Sequence, residues 1–305
     1  MAATSGVSTT TLPRRLRAGG WLASRELLPY LLLAPSVLMM LAVIAYPMVK
    51  GFLFGFTDST MLKPGEFVGL DNYARLLASP DFHHALWFSF VFAVFNVIGC
   101  YLIGLGLALL MNEDVPGRGF FRVALLLPWI VPSIVSIVSW RWMIADQNAL
   151  FNQVIKAFGG SPIFFLSDAG WAITVVILIK IWRSFPFMML SLLAGLQGID
   201  RTLYEAAAID GCSRWKAFLH ITMPHLKNIS IVLCLLMTIW TVNDFDTPWL
   251  LTQGGPANST ENLVLLAYRY TFGRNNVGMG SAVSFTTLVI LMVLIVCTLR
   301  AQRER

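Results

Sequence analysis

Apolar stretches long enough to cross a lipid bilayer recur along this chain, and they restrict its fold more than any other feature. A membrane-spanning helix needs roughly 20 predominantly apolar residues. Uncharged runs at 27–49, 85–112 and 275–299 meet that length, and a span at 123–144 is uncharged from Val123 to Trp140, with Pro128 and Pro132 inside. Two further runs carry charge: 170–196 holds Lys180 and Arg183, and 228–251 holds Asp244 and Asp246. The pattern predicts an all-α polytopic membrane protein with six transmembrane helices. Of 305 residues, 57% are hydrophobic and 12% charged, at a mean hydropathy of +0.70. A soluble domain carries about 25% charged residues, so an ordinary soluble enzyme is excluded. Disorder is excluded too, because it requires low hydrophobicity.

Lys and Arg concentrate on the cytoplasmic side of membrane helices. With the N-terminus inside, the inner segments hold Arg14, Arg15, Arg17, Arg25, Arg118, Arg122, Arg201, Arg214, Lys216, Lys227, Arg300, Arg303 and Arg305. The outer segments hold only Lys50, Lys63, Arg75, Arg141, Lys156, Arg269 and Arg274, spread over longer loops. Both termini are therefore expected in the cytoplasm. The net charge of +6 then marks a membrane face, not a nucleic-acid partner. The Arg-rich start also suits a signal peptide, but the first apolar run exceeds the roughly 7–15 residues of a signal core. An uncleaved first span is expected after a cytoplasmic tail at 1–26, with a second tail at 300–305.

The chain lacks a GxxxxGK[ST] phosphate loop, so it is not expected to bind or hydrolyse ATP itself. A strand-linked GxGxxG, HExxH and GxSxG are missing as well. His83, His84, His220 and His225 have no ligand partners at metal spacing. Cys100, Cys212, Cys234 and Cys297 are scattered and read as small hydrophobes. An intramembrane enzyme would need a nucleophile and a base in mid-span, and no such pair is found. A non-catalytic chain with no metal or cofactor of its own is expected.

Between the fourth and fifth runs lies a cytoplasmic loop, 197–227. Residues 203–209 are rich in helix formers. Asp210-Gly211 signals a turn, Ser213 a helix start, and Pro224 the beginning of the next span. A short helix–turn–helix beneath the membrane is predicted. Its first half is acidic and Ala-rich, which suits a groove on a protein partner better than an anionic lipid surface.

This stretch resembles the EAA loop of membrane subunits of ATP-binding-cassette (ABC) importers. Glu205, Ala206, Ala207, Gly211, Ile221, Met223 and Pro224 fall on the motif positions, with Met223 where Leu is usual. Phe67-Val68-Gly69-Leu70-Asp71-Asn72-Tyr73, Ala194-Gly195-Leu196-Gln197 and Leu251-Thr252-Gln253-Gly254-Gly255-Pro256 are similar to the sugar-import branch, which includes the maltose and glycerol-phosphate permeases. The resemblance implies a type I ABC importer permease fold in the bacterial inner membrane. It also implies an extracytoplasmic sugar-binding lipoprotein, a second and different permease chain, and two ATPase subunits holding ATP and Mg. Glu205, Ala206, Ala207, Ala208, Asp210 and Gly211, with Pro224 behind them, would pass ATPase closure into the spans.

Charges inside a bilayer cost roughly 2.5–3.5 kcal/mol each, so they face a partner or a cavity. Arg183 is expected to pair with Asp244 at the same depth. Lys180 and Asp246 read as structural or snorkelling groups. Trp240, Thr241 and Asp244 share one helical face. With Asn243 they combine an aromatic ring and planar polar groups, as a sugar site requires. Resemblance to the maltose-type permeases implies sugar contacts at Trp240, Thr241 and Asp244, with Ser184 and Phe187 contributing from the preceding helix. Asp244 stands where those permeases place an amide. The implied cargo is a disaccharide such as trehalose or maltose, with trehalose suggested by similarity to an actinobacterial importer. Trp87, Trp129, Trp140, Trp142 and Trp171 read as interface anchors. An ion-coupled secondary transporter is the alternative, and it predicts inverted repeats and paired broken helices that the sequence does not display.

Overall fold

A computed structural model describes residues 28–114 and 116–303, so the tail expected at 1–26 lies outside the described residues. The chain divides after Gly51 into two compact units. The first is dominated by α1 (Leu28–Met40), which passes through a π turn at Leu41–Ala45 into α2 (Tyr46–Phe54). Together these make one apolar helix long enough to cross a membrane.

In the second unit, α3 (Asp71–Ala78) precedes α4 (Pro80–Asn112), α5 (Arg118–Ile130), α6 (Ser133–Ile144), α7 (Leu150–Ala157) and α8 (Ala169–Gln197). The loop contains α9 (Arg201–Ile209) and α10 (Arg214–Ala217), and a π turn at Phe218–Thr222 leads into α11 (Met223–Val242). Then follow α12 (Asp246–Thr252), α13 (Leu263–Tyr268), a π turn at Arg269–Gly273 and α14 (Val277–Arg303).

Among the described residues, five helices are long and apolar enough to span a membrane, and α5 with α6 makes a sixth only as a pair bent by 88°. The span expected at 123–144 falls on this bent pair. Pro132 has no N–H to donate and keeps the residue before it out of the helical region. Val131 is extended, with ψ 131°, and the helix restarts at Ser133.

Parallel α4 and α8 form the centre of the unit. Gly99 receives the Ile181 side chain, and a Cβ on Gly104 would stand 2.8 Å from Met188 Cγ and 3.0 Å from the Met189 nitrogen. Small residues permit this close approach between membrane helices. Antiparallel α11 is tied to α4 by Asn96 Nδ2 donating to Thr241 Oγ1 at 2.7 Å and by the Tyr101 and Ser230 hydroxyls at 3.0 Å. Phe92, Met188, Met189, Leu192, Leu226 and Met237 fill the space between these three helices.

A second cluster, built on Leu76, Phe82, Ala85, Leu263, Leu266 and Val283, fastens α3, α4, α13 and α14 at the end away from α9. Asn72 serves this end by donating to the carbonyls of Gly55 and Thr57 at 3.0 and 2.8 Å. In the turn after α12, Glu261 is 1% exposed and accepts from Arg269 at 2.9 Å, while its Oε1 has no partner. Burial pushes the Glu261 carboxyl up from 4.5 to about 7, against the pull of the Arg269 guanidinium.

Gly104→Leu is expected to cost about 1–3 kcal/mol by overpacking. It should lower the melting midpoint of the purified transporter, and an unchanged midpoint would contradict the close α4–α8 contact. The Glu261 shift has a definite sign. A raised folded-state pKa stabilises the protonated protein, fully below 4.5, and that contribution is lost as pH rises through about 7. The melting midpoint should therefore fall from about pH 5 to about pH 8, with a shallower slope in Glu261→Gln. An identical slope in that variant would rule the carboxyl out as its source.

Candidate functional site

Helix α11 stops at Val242 and α12 begins at Asp246, which leaves 243–245 unwound. Backbone groups freed inside a membrane need protein partners, and they find them here. Asn243 N–H donates to Ile239 O at 3.2 Å, and Asp244 N–H donates to Thr241 O at 3.1 Å. The Asp244 carbonyl accepts from Asn262 Nδ2 at 2.7 Å. The Asp244 carboxylate accepts from the Thr247 hydroxyl at 2.6 Å and so fastens the first turn of α12.

Lys180 Nζ of α8 lies 3.0 Å from Asp244 Oδ2, with the two side chains 11% and 8% exposed. This corrects the expected Arg183–Asp244 pair. Arg183 reaches Thr247 Oγ1 instead, at a long 3.4 Å, and its buried Nε has no partner. The sequence set Arg183 at the depth of Asp244, whereas Lys180, three residues earlier on α8, is the cation that faces the carboxylate. Asp246 accepts from Ser133 at 2.6 Å, which joins α12 to α6.

The other expected path residues do not share one surface. Phe187 and Trp240 meet with ring centroids 4.9 Å apart, and Trp129 joins Phe187 at 5.9 Å. Trp129 thus belongs to an aromatic group and is not simply an anchor at a helix end. Its position beside the Pro128/Pro132 bend was the available sequence signal. Ser184 is half-buried on the same helix as Phe187. Thr241 does not share a surface with Trp240. It is fully buried against α4, donating to Met237 O at 2.6 Å and accepting from Asn96. Asn243 turns to another side and lines a mainly apolar cavity of about 360 Å³ with Leu263, Thr287 and Leu291.

At the other end of α8 and α11 sits the loop helix. Asp200 accepts from the Thr202 N–H at 2.9 Å and starts α9, and that bond holds its carboxyl below the usual range. Gly211 N–H donates to Ala208 O at 3.1 Å and Cys212 N–H to Ala207 O at 2.8 Å. This is a Schellman closure, which needs a left-handed residue after the C-cap. Gly211 supplies it at φ +74°, following Asp210 at the C-cap. Glu205, Ala206, Ala208, Asp210 and Gly211 are exposed, and Ala207 is half-buried. Ile209 and Trp215 project at 87% and 67% exposure. Pro224 is exposed in the first turn of α11, where a missing N–H costs least. Among the described residues no three His, Cys, Asp or Glu side chains converge as a metal site.

Residues 100–303 match the family described as binding-protein-dependent transport system inner membrane component. The trehalose/maltose transport system permease protein of Thermococcus litoralis is 37% identical, covering 91% of this chain and 94% of its own length. The sulfoquinovosyl glycerol transport system permease protein of Agrobacterium fabrum is 32% identical, covering 98% and 97%. Among solved structures, a bacterial ABC transporter that imports alginate matches with TM-score 0.82 and 21% identity, over 92% of this chain and 96% of that one.

Removing one member of a buried ion pair strands the other and costs about 3–5 kcal/mol. Lys180→Met should therefore lower the melting midpoint markedly, and adding Asp244→Asn should restore most of the loss. A double variant as unstable as Lys180→Met alone would contradict the pairing.

Proposed function

The chain belongs to the family of binding-protein-dependent inner membrane transport components and is a permease subunit of an ABC sugar importer; from that premise we propose that its cargo is a neutral disaccharide, trehalose or maltose. One observation supports this reading: Phe187 of α8 and Trp240 of α11 lie in contact, with the buried pair formed by Lys180 of α8 and Asp244 in the break that follows α11. A sugar offers C–H faces to aromatic rings and hydroxyl edges to planar polar groups. Lys180 compensates the charge of Asp244, so the carboxylate is held for hydrogen bonding to hydroxyls without leaving net charge at the break. Trp129, Arg183 and Ser184 complete the surroundings.

Permeases of this family work with a substrate-binding protein and ATPase subunits. We take the full assembly to hold this chain, a second and different permease, two ATPase subunits with ATP and Mg, and a lipid-anchored sugar-binding protein. Helix α9 seats its Ala-rich, Ile209-tipped surface in the ATPase groove. Closure of the ATPase pair pushes on α9, and α8 and α11 carry that displacement to the sugar.

The unpartnered Nε of Arg183 favours one other reading, an acidic sugar. The Agrobacterium relative named for sulfoquinovosyl glycerol makes that chemistry the one to test against.

Proteoliposomes containing the complete transporter and its binding protein separate the two. ATP-dependent uptake of labelled trehalose or maltose is expected, falling about 2- to 10-fold in Trp240→Ala if one aromatic contact is lost. Uptake of a sulfonated or carboxylated sugar with no disaccharide uptake would overturn the neutral-sugar reading.

A further inference from the structure

Helix α9 contains no fully buried residue. A helix so placed can be pushed without moving anything else unless some group ties it to the spans. Among the described residues, one side chain of α9 forms a hydrogen bond beyond its own helix. The Tyr204 hydroxyl lies 2.8 Å from Thr222 Oγ1, eighteen residues further along. Thr222 is 4% exposed, and the Tyr204 ring packs against the main core cluster together with Phe218, Ile221 and Met223.

The backbone at Thr222 is unusual as well. It closes the π turn Phe218–Thr222, where the Met223 N–H bonds to the Phe218 carbonyl. A π turn adds a residue to the helix and frequently marks a functional site. A helical threonine often spends its hydroxyl on a carbonyl one turn back. Here that hydroxyl is engaged with Tyr204. Beyond the π turn the helix runs unbroken to Val242, next to the unwound segment that holds Asp244.

We propose that the Tyr204–Thr222 hydroxyl bond is the strut that transmits displacement of α9 to α11, making Tyr204 a positioning residue for transport. This rests on the reading of α9 as the ATPase contact. Without the strut, a push on α9 is absorbed by rotation about the turns at its two ends, Asp200 and Asp210-Gly211. With it, the push reaches Thr222 directly and moves α11 as a rod.

The test uses the complete transporter in proteoliposomes and reads sugar imported per ATP hydrolysed, which a merely structural role leaves unchanged in correctly assembled protein. Tyr204→Phe keeps the ring and removes the hydroxyl. The ratio is expected to fall about 2- to 10-fold, the range for one ordinary hydrogen bond. Thr222→Val should lower it by the same factor, and the double variant should be no worse than either single one. An unchanged ratio in Tyr204→Phe, or losses that multiply in the double variant, overturns the strut. Gly211→Val separates the underlying reading. If it stops transport while Tyr204→Phe has no effect, only the strut is wrong. If Gly211→Val also transports normally, α9 is not the coupling element and both ideas fall.

Discussion

Inside a bilayer no water is available to satisfy a backbone group that has lost its helical partner. Every interruption of a spanning helix therefore has to be repaired by protein, and the repairs determine where the polar chemistry of this permease lies. The clearest repair is at 243–245. Asn262 takes the Asp244 carbonyl, Thr247 takes its carboxylate, and Lys180 neutralises it from α8. Each of these residues is costly in an apolar setting alone, and together they satisfy one another. The bend between α5 and α6 is tied to this break. Ser133, at the restart of the helix, donates to Asp246 and joins the second break to the first.

This arrangement links the two ends of the molecule mechanically. Helices α8 and α11 both flank the loop that carries α9, and both carry residues of the proposed sugar path, near the middle of α8 and at the far end of α11. They are held together near the loop, where a Cβ on Gly195 would stand 2.9 Å from Leu226 Cδ2. They are held again at the break by the Lys180–Asp244 pair. Under the proposed mechanism, these two contacts would let a displacement at the loop reach Phe187 and Trp240 together.

Much of this was legible in the sequence because it is local. Apolar length located α4, α8, α11 and α14. Turn chemistry located the loop helix, since Asp210-Gly211 and Ser213 are read from nearest neighbours alone. The EAA spacing pointed to the importer family before any contact was visible. What escaped was direction. Hydropathy gives the depth of Arg183 and Lys180 but not their angle around the helix, so the ion pair was assigned to the wrong cation. Thr241 was placed with Trp240 by helical spacing, yet the tie to Asn96 turns it toward α4. The two prolines at 128 and 132 were visible and mark the break, but they do not state its angle of 88°. Trp129 became part of an aromatic group for the same reason.

An experimental structure of the assembled transporter in a lipid nanodisc is the most direct test. The expected result is an unwound 243–245 with Lys180 Nζ at hydrogen-bond distance from the Asp244 carboxylate, as in the 3.0 Å contact described here. A continuous helix through these residues, or an Asp244 side chain turned to lipid with no cation beside it, would contradict the proposed organisation.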